Sequence, residues 1–160
     1  QYISQFNSHM RKVLDLKPLC YTHSENATDA ELLAIFQIIG ICESLEILKL
    51  NFEESRKVTK KSLEYLVSCI KKAKKLKNLT LIATQCPFVS NEGLKNVASC
   101  LRELVNLRIL KLDFKSCQFI GDVTLAAIPS ELKENIVLKK VKLNFEECKK
   151  ITNYGKKGLM

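Results

Sequence analysis

Residues 107–114 read LRILKLDF, and three other segments of the chain repeat this pattern at a spacing of 31 residues. These segments are LEILKLNF at 45–52, LKNLTLIA at 76–83 and LKKVKLNF at 138–145. They share the pattern LxxLxLxF, apart from a valine and an alanine, and alternate side chains in it are apolar. Such alternation is typical of a short β-strand with one buried face. A long internal repeat of this kind predicts a chain built from stacked copies of one unit.

A second signature follows each strand at the same spacing. An apolar residue precedes a helix-capping residue in Ala27-Thr28, Val58-Thr59, Val89-Ser90, Ile120-Gly121 and Ile151-Thr152. Thr and Ser side chains accept hydrogen bonds from the free N–H groups of a starting helix, and Gly is tolerated there. In the first four copies a leucine follows the apolar residue five positions later, which is the spacing of a hydrophobic staple. We therefore predict helices over 29–42, 60–73, 91–104 and 122–134, with Pro129 kinking or restarting the last one.

Both ends of the repeat are less regular than its middle. Residues 13–16, VLDL, look like part of a strand but have Arg11 in place of the first leucine, which predicts a weak first strand. The loop that follows, 17–27, would then be three residues longer than the later loops. Lys156 stands where a leucine should begin the last helical pattern, so the last unit is predicted to be incomplete or a cap. We predict one domain over 1–160, with repeats at about 11–44, 45–75, 76–106, 107–137 and 138–160.

The segment LRILKLDFKSCQFIGD at 107–122 resembles the leucine-rich-repeat motif L-x-x-L-x-L-x-x-C-x-x-I-T-D, with two residues inserted before the cysteine. Over roughly 11–155, the chain is similar to the ribonuclease-inhibitor-like and cysteine-containing branches of the leucine-rich-repeat family. The resemblance implies an α/β solenoid shaped as a horseshoe arc, with a parallel sheet on the concave side and helices on the convex side. It implies nothing about the partner, because members of this family bind many unrelated proteins.

The cysteines also follow the repeat. Cys86, Cys117 and Cys148 are spaced by 31 residues at a predicted turn, and Cys69 and Cys100 have the same spacing on the buried side of two helices. Stacked units hold equivalent residues too far apart for most disulfides, so we expect buried free thiols. Free thiols indicate a reducing compartment, and we expect an intracellular, cytoplasmic protein.

The sequence contains no pattern that predicts catalysis or metal binding. Cys20 and His23 form a C-x-x-H pair, but a structural zinc site needs about four ligands and the other histidine, His9, does not complete one. No glycine-rich phosphate loop and no serine in a nucleophile elbow occur. We therefore expect a protein that is not an enzyme, with no catalytic residues, metal or cofactor.

The net charge of +9 favours acidic partners. In each strand, the residues between the leucines should face solvent on the concave side. They are Ile47, Lys49, Asn51, Asn78, Thr80, Ile82, Ile109, Lys111, Asp113, Lys140, Lys142 and Asn144. Lysines with isoleucines between them suit a partner that offers carboxylates around an apolar anchor. In a competing interpretation, the lysines only keep an exposed sheet soluble.

These observations predict a protein–protein interaction scaffold that is a subunit or adaptor of a larger intracellular assembly. The ends of the stack are expected to pack on further repeats or on neighbouring subunits. Nucleic-acid binding by the basic surface is an alternative, although no aromatic residue lies among the twelve positions to stack on bases. In a third interpretation, the chain is the repeat region of a larger enzyme or ubiquitin-ligase receptor. No apolar run reaches the ~18 residues of a membrane span, so none is expected.

Overall fold

The computed structural model describes residues 16–22, 29–87, 89–133 and 135–157. Within these residues, strands and helices alternate along the chain. The strands are β1 (Pro18–Thr22), β2 (Ile47–Asn51), β3 (Asn78–Ile82), β4 (Ile109–Asp113) and β5 (Lys140–Asn144). The helices are α1 (Asp29–Ile41), α2 (Lys60–Ile70), α3 (Asn91–Leu101), α4 (Asp122–Leu132) and α5 (Asn153–Lys157).

The strands form one parallel sheet in the order β1-β2-β3-β4-β5, so each strand pairs with the next one in the chain. The register follows the sequence repeat from β2 onwards: Leu48 pairs with Leu79, Leu79 with Leu110, and Leu110 with Val141. Helices α1 to α4 each connect two neighbouring strands, and α5 follows β5. The predicted α/β fold with a parallel sheet and alternating helices is therefore confirmed.

The core lies between the sheet and the helices. The motif leucines of the three middle units are almost completely buried: Leu45, Leu48, Leu50, Leu76, Leu79, Leu81, Leu107, Leu110 and Leu112. Phe52 and Phe114, which follow β2 and β4, are also buried. Because burying one such side chain contributes about 1.5–3 kcal/mol, these repeated positions are the main source of stability.

The helices begin where the capping pattern predicts. The Thr59 side chain accepts a hydrogen bond from the Ser62 N–H at 3.3 Å, and the Ser90 side chain accepts one from the Gly93 N–H at 3.4 Å. The predicted cap Thr28 lies outside the described residues. All four long helices end one to three residues earlier than predicted, because the chain then tightens into bonds such as Ala73 N–H to the Ile70 carbonyl at 2.9 Å.

The prediction that Pro129 restarts the last long helix is wrong. Helix α4 continues through this residue to Leu132, and the Lys133 N–H donates to the Pro129 carbonyl at 3.0 Å. Proline lacks its own N–H but keeps its carbonyl, so the last turn of the helix still forms.

The strand that pairs with β2 is β1 and not the predicted segment 13–16, of which residues 13–15 lie outside the described residues. Strand β1 pairs Leu19 with Leu48 and Tyr21 with Leu50, so the first unit carries its motif as LKPLCY at 16–21. Tyr21 takes the place of the third motif leucine, and packs its ring against Phe52 with a centroid distance of 6.1 Å. The spacing between β1 and α1 is therefore two residues shorter than the spacing between β2 and α2, and not three residues longer.

Polar side chains at the helix starts join neighbouring units. The Asn91 side-chain oxygen accepts hydrogen bonds from the Gly121 N–H at 2.8 Å and from the Thr124 hydroxyl at 2.6 Å. Asp122, 31 residues later, accepts the N–H of Thr152 at 2.8 Å and its hydroxyl at 2.6 Å. The hydroxyl of Thr152 is the main cause of a lowered pKa for the Asp122 carboxyl.

A left-handed residue recurs in the turn after each of strands β2 to β5. The φ angles are 57° at Glu54, 56° at Gln85, 59° at Ser116 and 59° at Glu147. This conformation costs a non-glycine residue roughly 1–2 kcal/mol. It also directs the N–H of Gln85 to the Lys115 carbonyl of the next unit, at 2.9 Å. The strained backbone of the turn thus allows a hydrogen bond between neighbouring units.

Substitution of Gln85 tests this turn. We expect Gln85→Gly to leave the free energy of unfolding unchanged or to raise it by up to about 1 kcal/mol, because relief of strain exceeds the added chain entropy. Gln85→Val should lower it by about 1–2 kcal/mol, because a β-branched residue tolerates positive φ poorly. Urea unfolding of both variants measures the difference. A valine variant as stable as the glycine variant would show that the turn is not strained.

Candidate interaction surface on the sheet

The twelve positions predicted to face solvent lie on one side of the sheet. We call this side the open face. The alternating residues Leu48, Leu79 and Leu110 point into the core, whereas none of the twelve predicted residues is buried. Strand β1 adds Pro18, Cys20 and Thr22 to the open face in the same register. Sequence reasoning missed these three because it misplaced the first strand; the LxxLx pattern at 16–20 is the signal that could have found them.

Strand pairing arranges the twelve residues in three rows that cross β2 to β5. The apolar row contains Ile47, Asn78, Ile109 and Lys140; the basic row contains Lys49, Thr80, Lys111 and Lys142; and the amide row contains Asn51, Ile82, Asp113 and Asn144. Members of one row are direct neighbours on adjacent strands. The rows therefore give the open face three different chemical zones, two residues apart along each strand.

The basic row concentrates positive charge, and its lysines form no ion pair with a carboxylate in the described part of the chain. Lys111 lies opposite Lys142 on paired strands, and like charges at directly opposed positions destabilise a sheet. Neither residue belongs to any ion pair between described residues, and the same holds for Lys49 and Lys140. The basic row therefore keeps its charge available for an external anion.

Several lysines on the helical side of the molecule are, in contrast, paired with carboxylates. Lys60 contacts Glu92 at 2.7 Å and Lys71 contacts Glu103 at 2.8 Å, in each case between neighbouring units. Hydrogen bonding to Glu103 raises the pKa of Lys71. Lys74 and Lys77 also form ion pairs, with Glu103 and Glu46.

The apolar row exposes two large side chains to solvent. Ile47 is 41% exposed and Ile109 is 39% exposed, although both are in strands. They lie two strands apart, with Asn78 between them. Exposed isoleucines beside unpaired lysines offer both apolar and charged contacts to one partner.

The amide row has a structural role as well. Asn51 and Asn144 accept the N–H groups of Glu53 and Glu146 at 3.1 Å, which closes the turn after each strand. The Asp113 carboxylate accepts a hydrogen bond from the Asn144 side-chain amide at 3.1 Å. Asp113 is the one acid among the twelve predicted positions, and this bond holds it within the amide row. We therefore regard the apolar and basic rows as the main candidate contact area.

The end of the stack beyond β5 forms a second exposed region. Val141 is 41% exposed, whereas its counterparts Leu48, Leu79 and Leu110 are at most 1% exposed. A cavity of about 570 Å³ opens there, lined in part by Leu125, Leu143, Phe145 and Ile151. This end therefore presents residues of the kind that other units cover.

The cysteine ladders are buried and reduced within the described residues, as the sequence predicts. Sγ of Cys86 donates to the Phe52 carbonyl at 2.9 Å, and Sγ of Cys117 donates to the Ala83 carbonyl at 3.0 Å. Burial raises the pKa of Cys86 to about 11 and that of Cys117 to about 12. These thiols stay protonated at neutral pH and serve as small donors in the turns.

Thiol labelling tests this description. At pH 8, we expect native protein to react quickly at one thiol, Cys20, which is exposed, and slowly at the other six, which are buried. Denatured protein should react at all seven. Mass spectrometry after a short iodoacetamide pulse identifies the labelled residue. Fast labelling of Cys86 or Cys117 in the native state would show that their turns are open.

The described residues contain no group of three or more His, Cys, Asp or Glu side chains that could hold a metal ion. His23, the second member of the C-x-x-H pair, lies outside the described residues. None of the described helices has the length and apolar character required to cross a membrane.

Comparison with known proteins finds a solved structure with a similar repeat-like α/β fold. The solved structure is that of leiomodin-1 actin-binding site 2, with a TM-score of 0.68 and 16% sequence identity, over 96% of this chain and 84% of that chain. No protein-family model and no curated protein matches the sequence. At this identity the likeness shows the fold alone.

Proposed function

We propose that this chain is a non-catalytic protein-interaction module that binds an acidic protein surface through the open face. Its role is that of a subunit or adaptor in a larger intracellular assembly. The main support is the basic row, where Lys49, Lys111 and Lys142 have no carboxylate partner among the described residues. A partner carboxylate there would remove the repulsion between Lys111 and Lys142 and gain the adjacent isoleucines as apolar contacts.

The structural likeness supports a protein partner. The leiomodin-1 structure is, by its name, an actin-binding site, so one protein with this fold binds another protein. Actin is therefore a reasonable first partner to assay by filament co-sedimentation. The proposal concerns the class of partner and the contact surface, and it does not depend on actin.

We also propose that the units belong to a leucine-rich-repeat solenoid with the open face on its concave side. The order of the strands and the constant register from β2 to β5 support this arrangement. In this proposal, further repeats or a neighbouring subunit cover Val141 and the cavity beside it. The buried free thiols support a reducing compartment.

Nucleic-acid binding is the less favoured candidate. The contact area offers isoleucines instead of aromatic side chains for stacking, and several helical lysines are already paired with glutamates. Affinity capture of the tagged protein, with and without nuclease, separates the two functions. We expect a recurring protein partner to be retained after nuclease treatment. Loss of every partner on nuclease treatment, together with a steep salt dependence of RNA or DNA binding, would favour nucleic acid.

A further inference from the structure

We infer that the segment recognised by the open face is an acidic amphipathic α-helix that lies across the strands. This inference rests on the proposed function and specifies the structure of the partner. It follows from the spacing of the basic and apolar rows and from the way in which a crossing segment satisfies its own backbone.

The distances between the lysines of the basic row match the distances between residues on one face of an α-helix. Paired strands lie about 4.8 Å apart, so Lys142 and Lys111 are separated by about 4.8 Å, and Lys111 and Lys49 by about 9.6 Å. A helix rises about 1.5 Å per residue, so residues three apart are about 4.5 Å apart along the axis, and residues seven apart about 10.5 Å. Carboxylates at helix positions i, i+3 and i+10 therefore reach Lys142, Lys111 and Lys49 from one side of a helix.

The apolar row fits the same helix. Ile109 and Ile47 also lie on β4 and β2, about 9.6 Å apart, and two residues along the strand separate this row from the basic row by about 6.6 Å. A helix with its side chains is about 10 Å wide, so it covers both rows at once. Apolar residues at i+4 and i+11 form a stripe beside the acidic one.

The hydrogen-bonding needs of the partner's backbone favour a helical segment over an extended one. A segment that crosses the strands over the open face meets side chains, so it cannot form ladder hydrogen bonds with the sheet. A helix satisfies its N–H and C=O groups internally, whereas an extended segment would leave them to water. An extended segment also turns only one row of side chains to the surface and would contact one of the two rows. The five strands span about 19 Å, which corresponds to about 13 helical residues.

Synthetic peptides test the inference directly. The probe is a fluorescein-labelled, alanine-rich peptide of 18 residues with Glu at i, i+3 and i+10 and Leu at i+4 and i+11. A second version places the Leu residues on the other side of the Glu stripe. One control has the same composition with Glu distributed around the helix, and another has a central proline. Fluorescence anisotropy at moderate salt measures binding to the full chain. We expect one patterned peptide to bind at least about tenfold more tightly than either control.

Charge variants of the chain complete the test. Lys111→Glu with Lys142→Glu should weaken binding of the patterned peptide by at least about tenfold. Lys72→Glu with Lys75→Glu makes the same change in net charge at two exposed positions after α2, and should weaken it less than about twofold, because a distant surface charge is screened by salt.

Each other outcome overturns a defined part of the account. Equal binding of the scrambled peptide contradicts a helical partner, and equal binding of the proline peptide indicates an extended one. Equal weakening by both charge variants indicates unspecific attraction. If capture of a partner protein still depends on Lys111 and Lys142 while the peptides show no preference, the helical inference fails and the proposed function stands. A single-stranded oligonucleotide that binds at the basic row, with no protein captured after nuclease treatment, rejects the proposed function itself.

Discussion

Replacing Lys111 and Lys142 with glutamate is expected to abolish capture of the partner protein. The change reverses two unpaired charges in the middle of the open face, and like-charge contacts with an acidic partner cost several kcal/mol. We expect a loss of affinity of at least about a hundredfold, which corresponds to about 2.7 kcal/mol. Quantitative affinity capture at constant bait concentration measures it.

Two controls show whether the loss of binding comes from unfolding of the variant or from its lower net charge. The thermal unfolding curve of the double variant should match that of the unmodified protein, because both lysines are on the sheet surface and already repel each other. Lys72→Glu with Lys75→Glu should retain the partner. If capture is unchanged in the Lys111 and Lys142 variant, the open face is not the binding surface.

Phe52→Ala is expected to cause the largest loss of stability. Phe52 is fully buried after β2, and its ring packs edge-on against Phe36 at a centroid distance of 6.1 Å. It also contacts Tyr21, so one side chain connects both β1 and α1 of the first unit to the second unit. Removing a buried phenylalanine costs about 3–5 kcal/mol. Chemical denaturation should therefore show a large decrease in the free energy of unfolding, and we expect a measurable unfolded fraction at 37 °C.

Phe119→Ala is the matched control for this substitution. Phe119 is 48% exposed, and the Lys150 ammonium group lies 4.8 Å from its ring centroid. An exposed cation–π contact is worth about 0.5–1 kcal/mol, so this variant should lose little stability. Similar losses in the two variants would contradict the assignment of Phe52 to the core.

The repeat predicted most of the fold because burial imposes it on the sequence. One face of each strand must be apolar, and each helix needs a cap, so leucines and capping residues recur at the 31-residue spacing. The first unit was misplaced because Tyr21 replaces a leucine there and Pro18 begins the strand. Proline is compatible with the first residue of an outer strand, but it weakens the sequence signal for one.

The sequence predicted which strand residues face solvent on the open face, but it did not predict the side-chain contacts between units. Alternation along each strand identified all twelve open-face positions from β2 to β5, because a strand turns successive side chains to opposite faces. The pairing of Lys60 with Glu92 and the bond between Asn144 and Asp113 were not predicted. These contacts join side chains about one repeat apart and depend on rotamers, which a strand pattern does not define. Ion pairs such as the one between Lys60 and Glu92 distinguish paired lysines from those that remain available.

Cross-linking of the nuclease-treated complex, followed by mass spectrometry, tests the central claim most directly. The reagent should be lysine-to-carboxylate selective, so that it reports contacts between the basic row and an acidic partner. We predict that Lys49, Lys111 and Lys142 cross-link to Asp or Glu residues of one recurring partner protein, and that Lys72 and Lys75 do not. Cross-links confined to Lys72, Lys75 and other lysines outside the sheet, with none from the basic row, would contradict the claim that this protein binds its partner through the open face.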